Sequence, residues 1–113
     1  VDVIHCHEWL TVPPAISLKH AFNIPFVVTF HSIEGHRCHD NFGPTSMAIK
    51  EMEDMGIWES TRVITNTEWL KNEILRYYGG GHSGKIHVVW PIGKGWIDKI
   101  VSVYKKAVGT ECS

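Results

Sequence analysis

Apolar residues along the chain fall into short unbroken runs separated by longer stretches in which they recur every three or four positions. Phe26-Val27-Val28-Thr29-Phe30 is the clearest run. Its β-branched and aromatic side chains follow one another without polar alternation, as in a strand covered by helices on both faces. Val1–Cys6, Arg62–Thr65 and Lys85–Trp90, the last built on Ile86-His87-Val88-Val89, read as three further strands. Four helical patterns lie between and after them. Thr11 is placed to cap the first, with Pro13 and Pro14 tolerated in its opening turn and Ala15, Ile16, Leu18 and Phe22 expected on one face. Asn23-Ile24-Pro25 ends it. Thr45 reads as the cap of a second helix to about Glu59, with Ala48, Met52 and Met55 at helical spacing and the methionines filling core gaps. Asn66 or Thr67 caps a third, whose Leu70, Ile74, Tyr77 and Tyr78 recur at i, i+4, i+7 and i+8 before Gly79-Gly80-Gly81 stops it. The last, Trp96–Val108, carries Trp96, Ile97, Ile100, Val101, Tyr104 and Val108 on one expected face, with Lys105 and Lys106 at the negative end of its dipole.

Strands alternating with helices predict an α/β fold: a four-stranded, mostly parallel sheet flanked by helices, joined by right-handed crossovers in sequential strand order. Val3–Leu10 and Val63–Leu70 share five of eight residues. This echo predicts one strand-to-helix solution used twice, with Glu at a positive helix start and Trp-Leu packed on the sheet.

At 113 residues one domain is expected. The apolar fraction of 43% argues against disorder, and 11 basic against 12 acidic residues give no reason to expect a nucleic-acid partner. No apolar run approaches the roughly 20 residues of a membrane span, and Val1-Asp2-Val3-Ile4-His5 is not a signal peptide, so a cytoplasmic protein is expected. Cys6, Cys38 and Cys112 are odd in number and unpatterned, as for reduced thiols. The missing initiator Met and the opening directly in a strand suggest a piece of something longer.

Candidate chemistry gathers where the Phe26–Phe30 run stops. His31, Ser32, Glu34, His36, Arg37, Cys38, His39 and Asp40 are crowded together, with Gly35 to let the chain turn. Ligands of open α/β sheets bind beyond the carboxyl ends of the strands, which puts His31 at the lip of that crevice. His5, Cys6, His7 and Glu8 should converge there with His31, His36, Cys38 and His39. Zinc sites are marked by paired Cys or His at short fixed spacing, and His36-Arg37-Cys38-His39 with Cys6-His7 is no such pattern, so no metal is assigned. His5 reads as a strand side chain packed under a helix. Ser32 is set aside as a nucleophile paired with His31, because adjacent strand residues point to opposite faces. Gly79–Gly84 follows a helix and precedes a strand, the reverse of a phosphate loop. Gly93-Lys94-Gly95 does lie between a strand and a helix start, where an anion could bind.

Several of these segments together resemble the retaining glycosyltransferases of the two-Rossmann-domain (GT-B) type that include glycogen, starch and sucrose-phosphate synthases. His5-Cys6-His7-Glu8-Trp9 is similar to that family's His-x-His-Asp-Trp strand end, with Glu8 in place of Asp. Val27–His31 resembles the strand ending in a His that approaches the donor sugar, and Ser32–Arg37 the His-Ser-x-Glu-x-x-Arg form of the following loop. Arg62–Thr65 with Thr67-Glu68-Trp69 resembles the Arg-Val-Ile-x-x-Ser-Glu segment, and Lys85–Val89 the strand leading into the interdomain linker. The resemblance implies a single truncated Rossmann-like domain over 1–113: the second half of the N-terminal domain in 1–90 and the returning C-terminal helix in 95–108. It further implies His31 as the catalytic position, hydrogen-bonding the donor sugar near the leaving group, and Glu8, Trp9, His7, Ser32, Glu34 and Arg37 as substrate-binding, with Glu8 orienting acceptor hydroxyls. The parent reaction would be glucosyl transfer from a nucleotide-sugar to an α-glucan or related acceptor, with no other cofactor. The family's nucleotide-holding acidic pair and Arg/Lys pair match no segment, so inactivity of the chain alone is expected. A non-catalytic interaction subunit of a split glycosyltransferase and a His/Cys metal-binding module are the alternatives. The expected partners are a sugar or glucan and, because the apolar Val1–Cys6 edge carries neither Lys nor Pro, a second copy of the chain in a two-fold homodimer.

Overall fold

A computed structural model of the chain describes residues 2–90 and 95–109. Among them, strands β1 (Ile4–His7), β2 (Phe26–Phe30), β3 (Arg62–Thr65) and β4 (Ile86–Val88) form one sheet in the order β1-β2-β3-β4. All neighbours are parallel, with Cys6 beside Val28, Val28 beside Val63 and Ile64 beside His87. The helices are α1 (Val12–Phe22), α2 (Glu34–Arg37), α3 (Pro44–Glu59), α4 (Glu68–Tyr78) and α5 (Trp96–Val108). The fold is α/β and Rossmann-like, with the sequential parallel order expected from the alternation of strands and helices.

Every residue of β2 is buried, because both faces of the sheet are covered. On one face Cys6, Phe26, Val28, Phe30, Val63 and Ile86 meet Val12 and Ala15 of α1, Ile57 of α3, and Leu70 and Ile74 of α4. On the other, Val27, Ile64 and Val89 meet Val103 and Ala107 of α5, with Val3, Trp96, Ile100 and Tyr104 at the margin. Three helices therefore cover one face, and α5 covers the other. No helix among the described residues is long and apolar enough to cross a membrane.

Several local expectations are corrected. β1 begins at Ile4 rather than Val1, which lies outside the described residues, and β4 ends at Val88. Thr11 precedes α1, but its backbone is already helical (φ −93°, ψ −2°), whereas a capping side chain needs an extended backbone to reach the first free N–H groups. Its hydroxyl donates backwards instead, to the carbonyls of His7 (2.7 Å) and Glu8 (3.1 Å). α1 buries Val12 and Ala15 and leaves Leu18 and Phe22 exposed. α3 starts at Pro44 behind Gly43, so Thr45 is inside the helix; Pro at the first helical position sets that start. Its buried positions are Glu53, Gly56 and Ile57, whereas Met47, Ala48 and Met55 are exposed. In α5, Ile97 and Val101 face out, and Val103 and Ala107 face the sheet. Of the two possible caps for α4 it is Thr67 that serves, its hydroxyl accepting from the Leu70 N–H at 3.1 Å. Gly79 at φ +105° ends α4, and a 3₁₀ turn over Gly80–Lys85 follows. The echoed Trp-Leu pairs differ in packing: Leu10 and Trp69 are exposed and Leu70 is buried. Gly93, Lys94 and Cys112 lie outside the described residues; Cys6 and Cys38 are free thiols.

Candidate functional site

Three imidazoles step along the carboxyl ends of β1 and β2. His5 lies half-buried beneath α5, with Nδ1 2.6 Å from the Tyr104 hydroxyl and Nε2 2.5 Å from that of Thr29. The His7 ring stacks on His5 at 4.4 Å, and His31 lies nearly parallel to His7 at 6.1 Å. Burial first, and then the neighbouring His7 and His31, lower the His5 pKa to about 4. His5 is therefore neutral near pH 7 and can hold two hydroxyls at once. At the lip, His31 is exposed, and its Nδ1 lies 2.7 Å from the Asn66 side-chain amide just past β3. These side chains open on a crevice of about 250 Å³ between the sheet and α5, walled further by Trp96, Ile100, Tyr104 and Val89.

Glu8 holds the backbone at this lip. It sits at φ 64°, ψ 174°, a region nearly reserved for glycine and found in other residues where surrounding contacts enforce it. Those contacts are its own N–H, donating to the Thr29 carbonyl at 2.9 Å, and its carboxylate, accepting the His31 N–H at 2.5 Å. The strand-end His is thus fixed by a carboxylate from the adjacent strand end.

Behind the lip, α2 is anchored by a buried carboxylate. Both Glu53 oxygens accept the Glu34 N–H at 3.0 Å; one also accepts from the Tyr78 hydroxyl at 2.5 Å and the other from Arg37 Nη2 at 2.8 Å. Burial pushes the Glu53 carboxyl up, while Tyr78, the Glu34 amide and Arg37 pull it back. Arg37 also donates to Glu34 (2.9 Å) and Ser32 (2.6 Å) and approaches Glu8 at 3.8 Å. The Ser46 hydroxyl foremost, and then Arg37, hold the Glu34 carboxyl low against its burial. Tyr77 donates to Asp40 at the end of the same turn.

Of the residues singled out in the sequence, His7 and His31 line the crevice. Ser32, Glu34 and Arg37 belong to the network around Glu53, Glu8 joins it to His31, and Trp9 is half-buried in a 3₁₀ turn over Trp9–Thr11. The expected convergence of His and Cys is only partial: His5, His7, Glu8 and His31 meet, but His36 and Cys6 stand apart. His36 is 2.9 Å from Glu73 and stacked on Trp69, Cys6 is in the core on the opposite face, and among the described residues no three His, Cys, Asp or Glu side chains group as metal ligands. Sequence reasoning missed Asn66, Trp96 and Tyr104 as crevice residues and Glu53 as the anchor. Asn66 occupies after β3 the place that His31 occupies after β2, so strand ends compared across the sheet would have pointed to it.

A family model described as Glycosyltransferase Family 4 matches residues 1–91. An uncharacterised glycosyltransferase of Methanocaldococcus jannaschii is 32% identical over 118 residues, covering 97% of this chain and 30% of that protein. A glycogen synthase of Mycobacterium tuberculosis is 34% identical over 82 residues, covering 71% of this chain and 20% of that enzyme. The chain thus spans less than a third of the length of these curated relatives.

Proposed function

The chain belongs to glycosyltransferase family 4, and from that premise we propose that it supplies the sugar-facing wall of a retaining glycosyltransferase of the glycogen or starch synthase type. In that reaction the bond from the sugar C1 to the nucleotide phosphate oxygen breaks and the nucleoside diphosphate leaves, while an acceptor glucan hydroxyl bonds to C1 on the same side and gives up its proton to the departing phosphate. The observation that carries the reading is the placing of His31: it ends a buried strand, its Nδ1 is engaged by Asn66, and its Nε2 has no protein partner among the described residues. In this reading Nε2 bonds the donor sugar near the leaving group, and Trp96 and Tyr104 offer aromatic surface to the sugar ring. Phosphate departure needs charge stabilisation. Among the described residues the crevice is lined by imidazoles, an amide, hydroxyls and apolar groups, with no Lys or Arg; in this reading the groups that hold the nucleotide come from elsewhere in the enzyme, and the chain alone is inactive.

A chimera in which this chain's matched segment replaces its counterpart in the mycobacterial glycogen synthase tests the reading. It should extend glycogen from a nucleotide-glucose donor, and His31→Ala within it should lower kcat by roughly two orders of magnitude, the scale of losing one transition-state hydrogen bond. A folded chimera unaffected by His31→Ala, or glucan extension by this chain alone, would contradict it.

A further inference from the structure

The two helices beside β4 turn lysines toward its open edge. Lys71 of α4 and Lys99 and Lys106 of α5 line a groove of about 320 Å³ along Ile86–Val89, with Glu68 as its acidic side chain. Among the described residues no ion pair engages any of the three lysines. Among the described residues β4 pairs with β3 alone. The Val89 N–H donates to the Thr65 carbonyl at 2.8 Å; alternation along a parallel ladder therefore turns the Val88 N–H and C=O away from β3, into the groove. His87 adds a further polar atom. Its register neighbour Ile64 lies in the cluster under α5, and its Nε2 is buried without a hydrogen-bond partner among the described residues. Burial foremost, and then Arg62, Lys106 and Lys71, keep the His87 pKa below the usual imidazole value, as for a neutral ring in a positive field.

We propose that this groove receives an extended acidic peptide segment of a partner protein, which adds to the sheet as a strand beside β4. Strand addition draws affinity from main-chain hydrogen bonds, here at Val88, and specificity from what alternate side chains meet. Successive side chains of an added strand point to opposite faces. Acidic residues on one face would meet Lys71, and those on the other Lys99 and Lys106, which stand two turns apart on α5. A second copy of this chain is disfavoured, because pairing the same edge would bring two sets of three lysines together. Lysines can also protect an edge from chance pairing, but they do so here from the flanking helices, where they discriminate by charge and leave the strand's own backbone open.

The test is a titration of the isotope-labelled chain with a short blocked peptide rich in glutamate and valine. Amide shifts and hydrogen-exchange protection should appear at Val88. The same peptide N-methylated at alternate amides keeps its charge, loses its strand edge, and should bind roughly tenfold more weakly or worse. The triple variant K71E/K99E/K106E should lose the acidic peptide to a similar degree and gain affinity for a peptide with lysine in place of glutamate. Equal binding of the N-methylated peptide, no protection at Val88, or occupation of the groove by tripolyphosphate or anionic phospholipid vesicles but not by the peptide would each overturn the proposal.

Discussion

Held between Tyr104 and Thr29, His5 makes folding sensitive to pH. Its folded pKa of about 4 lies below its ordinary value of 6.5, so the unfolded chain binds the proton more readily. Stability from this group is complete above pH 6.5 and is lost as pH falls toward 4. Allowing for its partial exposure, the loss is on the order of 2 kcal/mol. Urea unfolding at pH 7 and pH 5 should show it, and His5→Gln should flatten the difference; an unchanged difference would place the acid sensitivity elsewhere. Glu53 gathers donors from two helices, Glu34 and Arg37 of α2 and Tyr78 of α4. Glu53→Ala should cost about 3–5 kcal/mol, the scale for breaking a buried ion pair, and Glu53→Gln less; a loss under about 1 kcal/mol by Ala would show that Glu34 alone satisfies Arg37. His7 and His31 were legible in the sequence because a strand's end is marked by its own residues. Glu53 and Tyr104 were not, because their partners lie far along the chain and only the fold brings them together.

Among the elements, α1 and α3 pack where α3 has no side chain. A Cβ on Gly56 would lie 2.7 Å from a Val12 methyl, so Gly56→Ala should destabilise by about 1–3 kcal/mol. That figure is what remains after the roughly 1 kcal/mol that alanine's helix propensity returns, because the Val12 methyl group is held between α1 and α3 with little room to yield. Combined with Val12→Ala, which vacates the contact, the two losses should sum to more than the double variant shows; strict additivity in denaturation would mean that the helices part without strain. The same contact explains why α3 was misread. Its stripe of Ile49, Glu53, Gly56 and Ile57 has the i, i+4, i+7, i+8 spacing of α4, but an acid and a glycine occupy its middle and the exposed methionines look more apolar. Strands were easier to read: β2 and β3 lie between covered faces, so burial and sequence hydrophobicity coincide.

At the scale of the whole molecule, sheet order followed from the alternation of elements, but the crevice did not, because its second wall is α5, far along the chain from the His-rich strand ends. The β1 edge bears on assembly. The two-fold pairing proposed there would use the outward backbone groups of His5 and His7, although the His7 carbonyl already accepts from Thr11. Sedimentation at high micromolar concentration should find a dimer, and a clean monomer would remove that proposal. The space between the sheet lip and α5 is the proposed sugar site. Titration of the labelled chain with glucose 1-phosphate, the donor sugar with its leaving-group phosphate, tests it while the His31 ring, the Asn66 side-chain amide and the Trp96 indole are followed by NMR. Shifts should centre on these groups, and His31→Ala should raise the Kd about tenfold, the worth of one hydrogen bond; saturable binding that leaves all three unmoved, or that His31→Ala does not weaken, would contradict a sugar site there.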